Sequence, residues 1–313
     1  MADLNAQELN ELFLHKLDED QEKVAANGAA YIRQKLREVS FARKIMNPTY
    51  VTKADCQRSL QHDQLVKIVD IEPDSSAVAV NFRGAGDLEY VEGNRYEISF
   101  YKIESKTFEK SEVELLAYEM PITTILENNA VKDIQRIEDK GFMDAVNAAI
   151  AVEHAKISLS KSPAVTVSGN YPDGSVFTAL FNALEGGNDT AAVGYNPLKT
   201  DLVLMNYTDY NRLIQMPATV VGSGVAGEVT VNGFKYPTLF GKRVIITNKT
   251  EYVPAGTIYA FASQEFLGHF YILNDTKFWI EKKKDIVSWV SWEHVGMGIG
   301  NTKACAKVTI TYA

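Results

Sequence analysis

The sequence has few cysteines and no long run of apolar residues. Its two cysteines, Cys56 and Cys305, lie far apart and outside any CxxC or Cys/His spacing. The chain therefore shows neither a zinc-site pattern nor a disulfide framework, and a reducing cytoplasm is the expected compartment. Charges interrupt the N-terminal segment where a signal peptide needs an apolar core, and no uncharged stretch is long enough to predict a transmembrane helix.

Basic residues are fewer than acidic ones, with 32 lysines and arginines against 40 aspartates and glutamates. The 313 residues carry a net charge of −8 and have a pI near 5.3. The molecule as a whole would therefore not attract nucleic acid or an anionic membrane, although the net charge does not exclude a local basic patch. The segment RQKLREVSFARK offers one basic helix face that could contact DNA or an acidic partner, but a solvated face is the commoner case. Hydrophobic residues make up 46% of the chain, enough for one large domain or two smaller ones.

Motifs for catalysis and ligand binding are lacking as well. The segment GMGIGN resembles a dinucleotide fingerprint, but Asn301 occupies the third glycine position, and a predicted strand follows where a helix would have to hold the phosphates. The segment VGSGV around Ser223 lacks the outer glycines of a nucleophile elbow, and the five histidines have no metal-ligand spacing. The sequence therefore predicts no enzyme, no cofactor and no metal site.

Hydrophobic periodicity divides the first half of the chain into helical and extended blocks. Apolar residues at three- and four-residue steps predict helix over residues 4 to 45 and again from about 128 to 155, where Gly141 predicts a kink or two joined helices. Between them, from Lys67 to Glu119, alternation predicts a long two-stranded excursion with a glycine-rich, charged tip. Because the edges of such a hairpin invite pairing, it either folds back on its own domain or lies on a neighbouring molecule.

A region of mixed helices and strands begins at Pro163. Asp173 and Gly186 predict the N-cap and C-cap of the helix SVFTALFNAL. Thr208 is expected to cap a second helix after the strand DLVLMN, and Asn232-Gly233 predicts a type I′ hairpin. The segments KRVIITN, TIYAFA and HFYIL are predicted strands.

The C-terminal segment predicts two strands, FWIEKKKDIVSWVSWEHV and KACAKVTITYA, joined by GMGIGNT. Trp289 and Trp292 would point to opposite faces of the first strand. They could stack on sugars in a carbohydrate-active enzyme, but packing in a core or in a subunit interface is commoner for such aromatics. The order of blocks lacks the rhythm of a doubly wound sheet or a barrel, and no internal repeat is found, so the predicted class is α+β.

The order of these blocks resembles the major capsid proteins of tailed bacteriophages, which share the Hong Kong 97-type shell fold. The resemblance rests on an N-terminal helical arm with LREVSFARKIMNP, on the charged β-excursion from Ile68 to Ile103 and on the 128–155 helix. It continues through DLVLMNYTDYNRLIQM and KRVIITN…VPAGTIYAF to GMGIGNTKACAKVTITYA. It covers nearly the whole chain, and no single motif in it is diagnostic.

The resemblance implies a division of the chain into four parts. These are an N-terminal arm (1–60), a peripheral domain (61–162) with an extended loop (66–105) and a long spine helix (128–155), an axial domain (163–265), and C-terminal strands (266–313) that return to the peripheral domain. Between Ile68 and Tyr101 there is no lysine, so the loop–lysine cross-link of some family members is not expected. The chain begins with Met1 directly on its arm, which resembles variants whose scaffold is a separate protein.

The resemblance also implies a function. The protein would assemble with itself into pentamers and hexamers of an icosahedral head that encloses double-stranded DNA, contacted non-specifically. A separate scaffolding protein, a portal and a decoration protein are expected partners, no membrane is expected, and the expected location is the virion, assembled in the host cytoplasm. An encapsulin-type compartment and, less favoured, a carbohydrate-active enzyme are the alternatives.

Candidate contacts between subunits follow from the same resemblance. The charged tip could pair across subunits and set register more than affinity, or it could be a solvated loop. The candidate residues are Arg37, Phe41, Arg43, Arg83, Asp87, Glu89, Glu92, Arg95, Trp289 and Trp292.

Overall fold

The computed structural model describes residues 40–60, 63–71, 93–117, 122–156, 163–170, 172–186, 198–213 and 238–312, together with isolated positions at 15, 79–81, 84, 86 and 88. The predicted helix before residue 40, the Asn232-Gly233 turn and five candidate contacts lie outside the described residues. Those five are Arg37, Arg83, Asp87, Glu89 and Glu92.

Helices and strands alternate irregularly along the described chain, as the α+β prediction expected. The helices are α1 (Phe41–Ile45), α2 (Glu112–Ala117), α3 (Ile122–Lys156), α4 (Gly174–Glu185), α5 (Tyr207–Leu213) and α6 (Gln264–Leu267). The strands are β1 (Thr49–Tyr50), β2 (Gln57–Arg58), β3 (Leu65–Ile71), β4 (Asn94–Glu104), β5 (Phe108–Ser111), β6 (Ala164–Gly169), β7 (Thr200–Asn206), β8 (Thr238–Leu239), β9 (Lys242–Thr247), β10 (Thr257–Ala262), β11 (Gly268–Lys283), β12 (Ile286–Ile299) and β13 (Cys305–Tyr312). None of the helices in these ranges is long and apolar enough to cross a membrane.

A seven-stranded sheet carries the excursion. Its strand order is β1-β11-β12-β4-β3-β2, and β5 pairs with the first residues of β12. Strands β11 and β12 form one long antiparallel hairpin, which turns at Lys284, a residue with a φ of 60°. The segment FWIEKK therefore forms the end of β11, whereas the sequence pattern predicts that FWIEKK and SWVSWEHV belong to one strand.

A six-stranded sheet contains the C-terminal strand. Its order is β6-β13-β10-β7-β9-β8, with β13 parallel to β6 and antiparallel to β10. The prediction that the last two strands pair through a GMGIGNT loop is wrong, because Gly296 and Gly298 lie inside β12 and β13 belongs to the other sheet. Strand β13 thus does not return to the sheet of β11 and β12.

The long helix α3 packs against both sheets. Ile134, Phe142 and Val146 are fully buried in a core shared with β10, β12 and β13. The helix is continuous through Gly141, so the predicted junction of two helices is wrong. Glycine suits this position because a Cβ there would lie 3.0 Å from the Tyr101 hydroxyl oxygen of β4.

The local signals near helix ends had mixed outcomes. Asp173 caps α4 by accepting hydrogen bonds from the backbone N–H groups of Ser175 and Val176, and Gly186 ends that helix with a φ of 72°, so both predictions are confirmed. Helix α5 is capped by the Asn206 side chain, which accepts from the Thr208 N–H, so the prediction of Thr208 as cap is wrong. Residues 112–117 form α2 and not the predicted strand, and their Leu115 is buried.

Candidate subunit-contact site

Strand β4 is continuous between the body of the protein and the excursion. Residues 94–99 pair antiparallel with β3, and residues 100–104 pair antiparallel with β12. A single 11-residue strand therefore fixes the direction in which the excursion leaves the body. The predicted two-stranded base of the excursion is confirmed over the described residues.

The charges at the outer end of this base are exposed. Arg95 Nε lies 2.7 Å from Asp70 Oδ1 across the β3–β4 pair, and both side chains are at least 70% exposed. An ion pair in such a position contributes little to stability because water screens it. The pair leaves both groups accessible to another molecule.

Three alternating glycines around the end of β12 lie directly against β4: they are Gly296 and Gly298 within the strand and Gly300 just after it. A Cβ on Gly298 would lie 2.9 Å from Ile98 Cγ1, and a Cβ on Gly300 would lie 2.6 Å from the Tyr96 hydroxyl oxygen. A Cβ on Gly296 would lie 3.0 Å from Phe100 Cδ1. Side chains at these positions would push β4 away, so the glycines allow the close approach of the excursion base. This close packing against β4, and not a phosphate-binding loop or a turn, explains why the segment GMGIG is rich in glycine.

The first described segment of the N-terminal region docks on α3 through a buried charge cluster. Arg43, on α1, donates from Nε to both Glu138 oxygens at 3.2 and 3.0 Å and from Nη2 to Glu138 Oε1 at 2.5 Å. The same Nη2 lies 3.2 Å from Glu293 Oε2 of β12. The Arg43 side chain is 3% exposed and both glutamates are 0% exposed.

The cluster has one more carboxylate than it has guanidinium groups. Thr276 donates to Glu293 Oε2 at 3.1 Å, whereas Glu293 Oε1 is buried and accepts no hydrogen bond. Burial and the neighbouring Glu138 raise the pKa of Glu293 well above its ordinary value, against the smaller opposing effect of Arg43. A Glu293 that holds a proton can donate it to Glu138, which satisfies the remaining oxygen. Burial, together with Glu138 and Glu293, also raises the pKa of Tyr101 to about 12.

A second buried carboxylate fixes the same segment. Asp139 accepts hydrogen bonds from the Ser40 hydroxyl at 2.8 Å and from the Ala42 N–H at 3.0 Å, and it forms an ion pair with Lys249. Burial raises the pKa of Asp139, although Lys249 opposes this effect. Phe41 adds an edge-on contact with Phe142 of α3, with ring centroids 6.3 Å apart. Residues 40–46 are therefore part of the body and connect it to the preceding chain.

The structure separates the described candidates into two groups. Phe41, Arg43 and Trp289 are only 2–4% exposed within the chain, so they have almost no surface left for a second subunit. Arg95 is exposed, and Trp292 lies on the opposite face of β12 from Trp289, half-buried beneath Lys102 Nζ at 5.2 Å from the ring centroid. The prediction that the two tryptophans point to opposite faces is confirmed.

Sequence reasoning missed Glu138 and Glu293. Glu293 follows Trp289 and Ser291 on the buried face of a strand with strict alternation. A glutamate at an inward position of such a strand signals a buried partner. The partner itself, Arg43, is 250 residues away, and the sequence places no constraint on that pairing.

The titratable groups of the described residues are mostly buried or scattered. They contain no group of three or more histidine, cysteine or acidic side chains that could hold a metal ion. Burial raises the pKa of the Cys305 thiol to about 12, which keeps it protonated, and burial lowers the pKa of His269 and His294. A cleft of about 500 Å³ lies between the excursion base and residues 265–269, and its polar lining includes Asp70, Tyr96, Glu265, His269 and Lys303.

Comparison with known proteins identifies the fold. No protein-family model and no curated protein sequence matches the chain. Among solved structures, the capsid of cyanophage P-SCSP1u is similar at 13% identity over 79% of this chain and 84% of that one, with a TM-score of 0.57. The mature capsid of bacteriophage PhiM1 is similar at 12% identity over 88% of each chain, with a TM-score of 0.57. A structure from Mycobacterium phage Adephagia is similar at 9% identity over 88% of this chain and 91% of that one, with a TM-score of 0.58. The chain has the fold of these phage capsid structures.

Proposed function

We propose that the protein is the major shell subunit of a tailed-phage head, which assembles into pentamers and hexamers around double-stranded DNA. The observation that carries the proposal is the shared fold over most of the chain, together with an excursion that leaves the body on one continuous strand. An exposed excursion is a liability for a monomer, because its edges invite pairing, but it is useful in a lattice. Contacts between different surface patches close into rings, which a shell needs.

The proposed domain division assigns a role to each part. The arm lies within residues 1–60, and because residues 40–46 dock on α3, the part proposed to cross to a neighbour is the chain before Ser40. Residues 66–105 form the extended loop, and α3 forms the spine of the peripheral domain. Residues 163–265 form the axial domain, and β13 joins it because β13 pairs with β6 and β10. Strands β11 and β12 complete the peripheral sheet.

The proposed contacts are those candidates that can reach another subunit. Arg95 and Trp292 are accessible on the described surface. Arg37, Arg83, Asp87, Glu89 and Glu92 remain proposed contacts from the sequence. The arm and the loop would each cross to a neighbouring subunit.

The proposed role is structural and not enzymatic. A separate scaffolding protein, a portal and a decoration protein are proposed partners, and packaged DNA would be contacted without sequence preference. The protein would act in the virion after assembly in the host cytoplasm.

Electron microscopy of the purified protein, alone and co-expressed with a scaffolding protein from the same genome, tests the proposal. We expect rings of five or six subunits or closed shells. A protein that stays monomeric at high concentration under both conditions would contradict the proposal. Closed shells that load a protein cargo, and protect no DNA from nuclease when produced with the packaging machinery, would instead identify an encapsulin-type compartment.

A further inference from the structure

A cluster of lysines lies on the face of the seven-stranded sheet opposite α3. Lys102 of β4 pairs in register with His294 of β12, and Lys277 of β11 pairs with Trp292. Lys102 Nζ also lies 5.2 Å from the centre of the Trp292 ring. We call Lys53, Lys102, Lys277, Trp292 and His294 the basic face.

The charge of this face contrasts with the net charge of −8 for the whole chain. Burial lowers the pKa of His294 first, and Lys102, Lys277 and Lys53 lower it further. Lys53 comes two residues after Val51, whose N–H donates to the Ile272 carbonyl oxygen of β11 at 3.0 Å. Acidic groups share this face: Glu104 is ion-paired with Lys102, and Glu281 lies on the same exposed side of β11 as Lys277. Lysines gathered in this way repel one another, so an acidic partner would relieve the repulsion.

The tip of the excursion has the complementary composition. The segment GAGDLEYVEG, residues 84–93, contains three acidic residues and no lysine or arginine. Leu88 lies between two of the acids, and its side chain is 80% exposed. An apolar centre with a charged rim is the usual composition of a protein interface, and the basic face has the same arrangement around Trp292 with the opposite charge.

We propose that the basic face of one subunit binds the acidic tip of the excursion of a second copy, with Leu88 against Trp292 and with Asp87 and Glu89 against the lysines. The proposal rests on the proposed function, because it needs copies of the chain arranged side by side. It names the receptor for the excursion within the shell.

The tip is poorly placed to contact Trp292 of its own subunit. Trp292 pairs with Glu104, the last residue of β4, and the 11-residue strand separates it from Asn94 by roughly 33 Å. Leu88 lies only six residues before Asn94, so an extended chain carries it about 21 Å at most. Even a fully extended chain that doubles back along β4 therefore leaves Leu88 roughly 12 Å short of Trp292 along the strand, whereas a second copy can present the same tip without that constraint.

Charge reversal tests the proposal in assembling protein. The double variant Lys102→Glu/Lys277→Glu should lower the yield of shells about tenfold or more, because like charges then face each other. The matched control Lys132→Glu/Lys140→Glu makes the same change in net charge on exposed positions of α3 and should assemble like the wild type. Adding Asp87→Lys/Glu89→Lys to the first variant should restore assembly.

Disulfide trapping tests the contact itself. In a Cys56→Ser background, a Leu88→Cys protein is mixed with a Lys277→Cys protein under assembly conditions and then oxidised. We expect a covalent dimer, and no dimer when Lys140→Cys replaces Lys277→Cys.

The outcomes separate the proposal from the proposed function. Wild-type protein that forms no shells would contradict the function itself. Normal shells from Lys102→Glu/Lys277→Glu would overturn the receptor proposal and leave the proposed shell function intact. If those shells also retained less DNA than wild-type shells, the basic face would be a nucleic-acid contact instead. Equal cross-linking of Leu88→Cys to Lys277→Cys and to Lys140→Cys would also overturn it.

Discussion

Replacing Arg43 with methionine should destabilise the subunit strongly. Methionine keeps most of the side-chain volume but removes the positive charge between Glu138 and Glu293, both of which are 0% exposed. Removing one partner of a buried ion pair leaves an uncompensated buried charge, which costs about 3–5 kcal/mol. For a chain of this size, the Tm should fall by something on the order of 10 °C.

Urea denaturation of the unassembled subunit measures this effect. The matched control is Arg95→Met, because the exposed Arg95–Asp70 pair should contribute less than about 1 kcal/mol. The double variant Arg43→Met/Glu138→Gln removes both charges of the closest pair and should recover much of the lost stability. If Arg43→Met and Arg95→Met have similar free energies of unfolding, residues 40–46 are not anchored by the cluster.

Three further predictions concern single positions. The pKa of Glu293 is raised in the folded protein, so the unfolded chain loses this proton at a lower pH than the folded protein does. The contribution of Glu293 to stability is therefore fully present below the ordinary carboxyl pKa and is lost as the pH rises through the pKa of the folded protein. Glu293→Gln should therefore gain stability relative to the wild type as the pH rises above the ordinary carboxyl pKa, by up to about 1.4 kcal/mol per pH unit, in urea titrations with Glu281→Gln as the control. Gly298→Val should cost about 1–3 kcal/mol and speed hydrogen exchange in β4, because its Cβ would collide with Ile98, whereas Gly93→Val, with open space around it, should do neither. Asp173→Ala should cost about 1 kcal/mol in thermal melts because α4 loses its cap, and Asp173→Asn should cost less; equal losses would argue against capping.

Local signals in the sequence predicted those features that depend on near neighbours. The period of two in β12 placed Trp289 and Trp292 on opposite faces. The caps at Asp173 and Gly186 were also predictable, because each depends on residues within one or two turns of the helix. Most of the strands of the mixed region follow from the same kind of pattern.

Features that depend on distant residues were not predictable in this way. The glycines of GMGIG resemble a loop, and only the approach of Ile98 and Tyr96, about 200 residues earlier in the chain, shows why a strand needs them. Arg43 looked like part of a solvated basic face, because its two carboxylate partners come from α3 and β12. Strand β13 is separated from β12 by only a few residues, yet it belongs to the other sheet.

Deletion of residues 84–94 tests the central claim most directly. We expect the deleted protein to fold, with the circular dichroism and melting behaviour of a native subunit, because strand β3, residues 95–104 of β4 and the whole core remain. Sedimentation velocity should then show monomers or small oligomers where the wild type forms rings or shells. Normal shells from the folded deletion variant would show that the excursion is not a clamp between subunits.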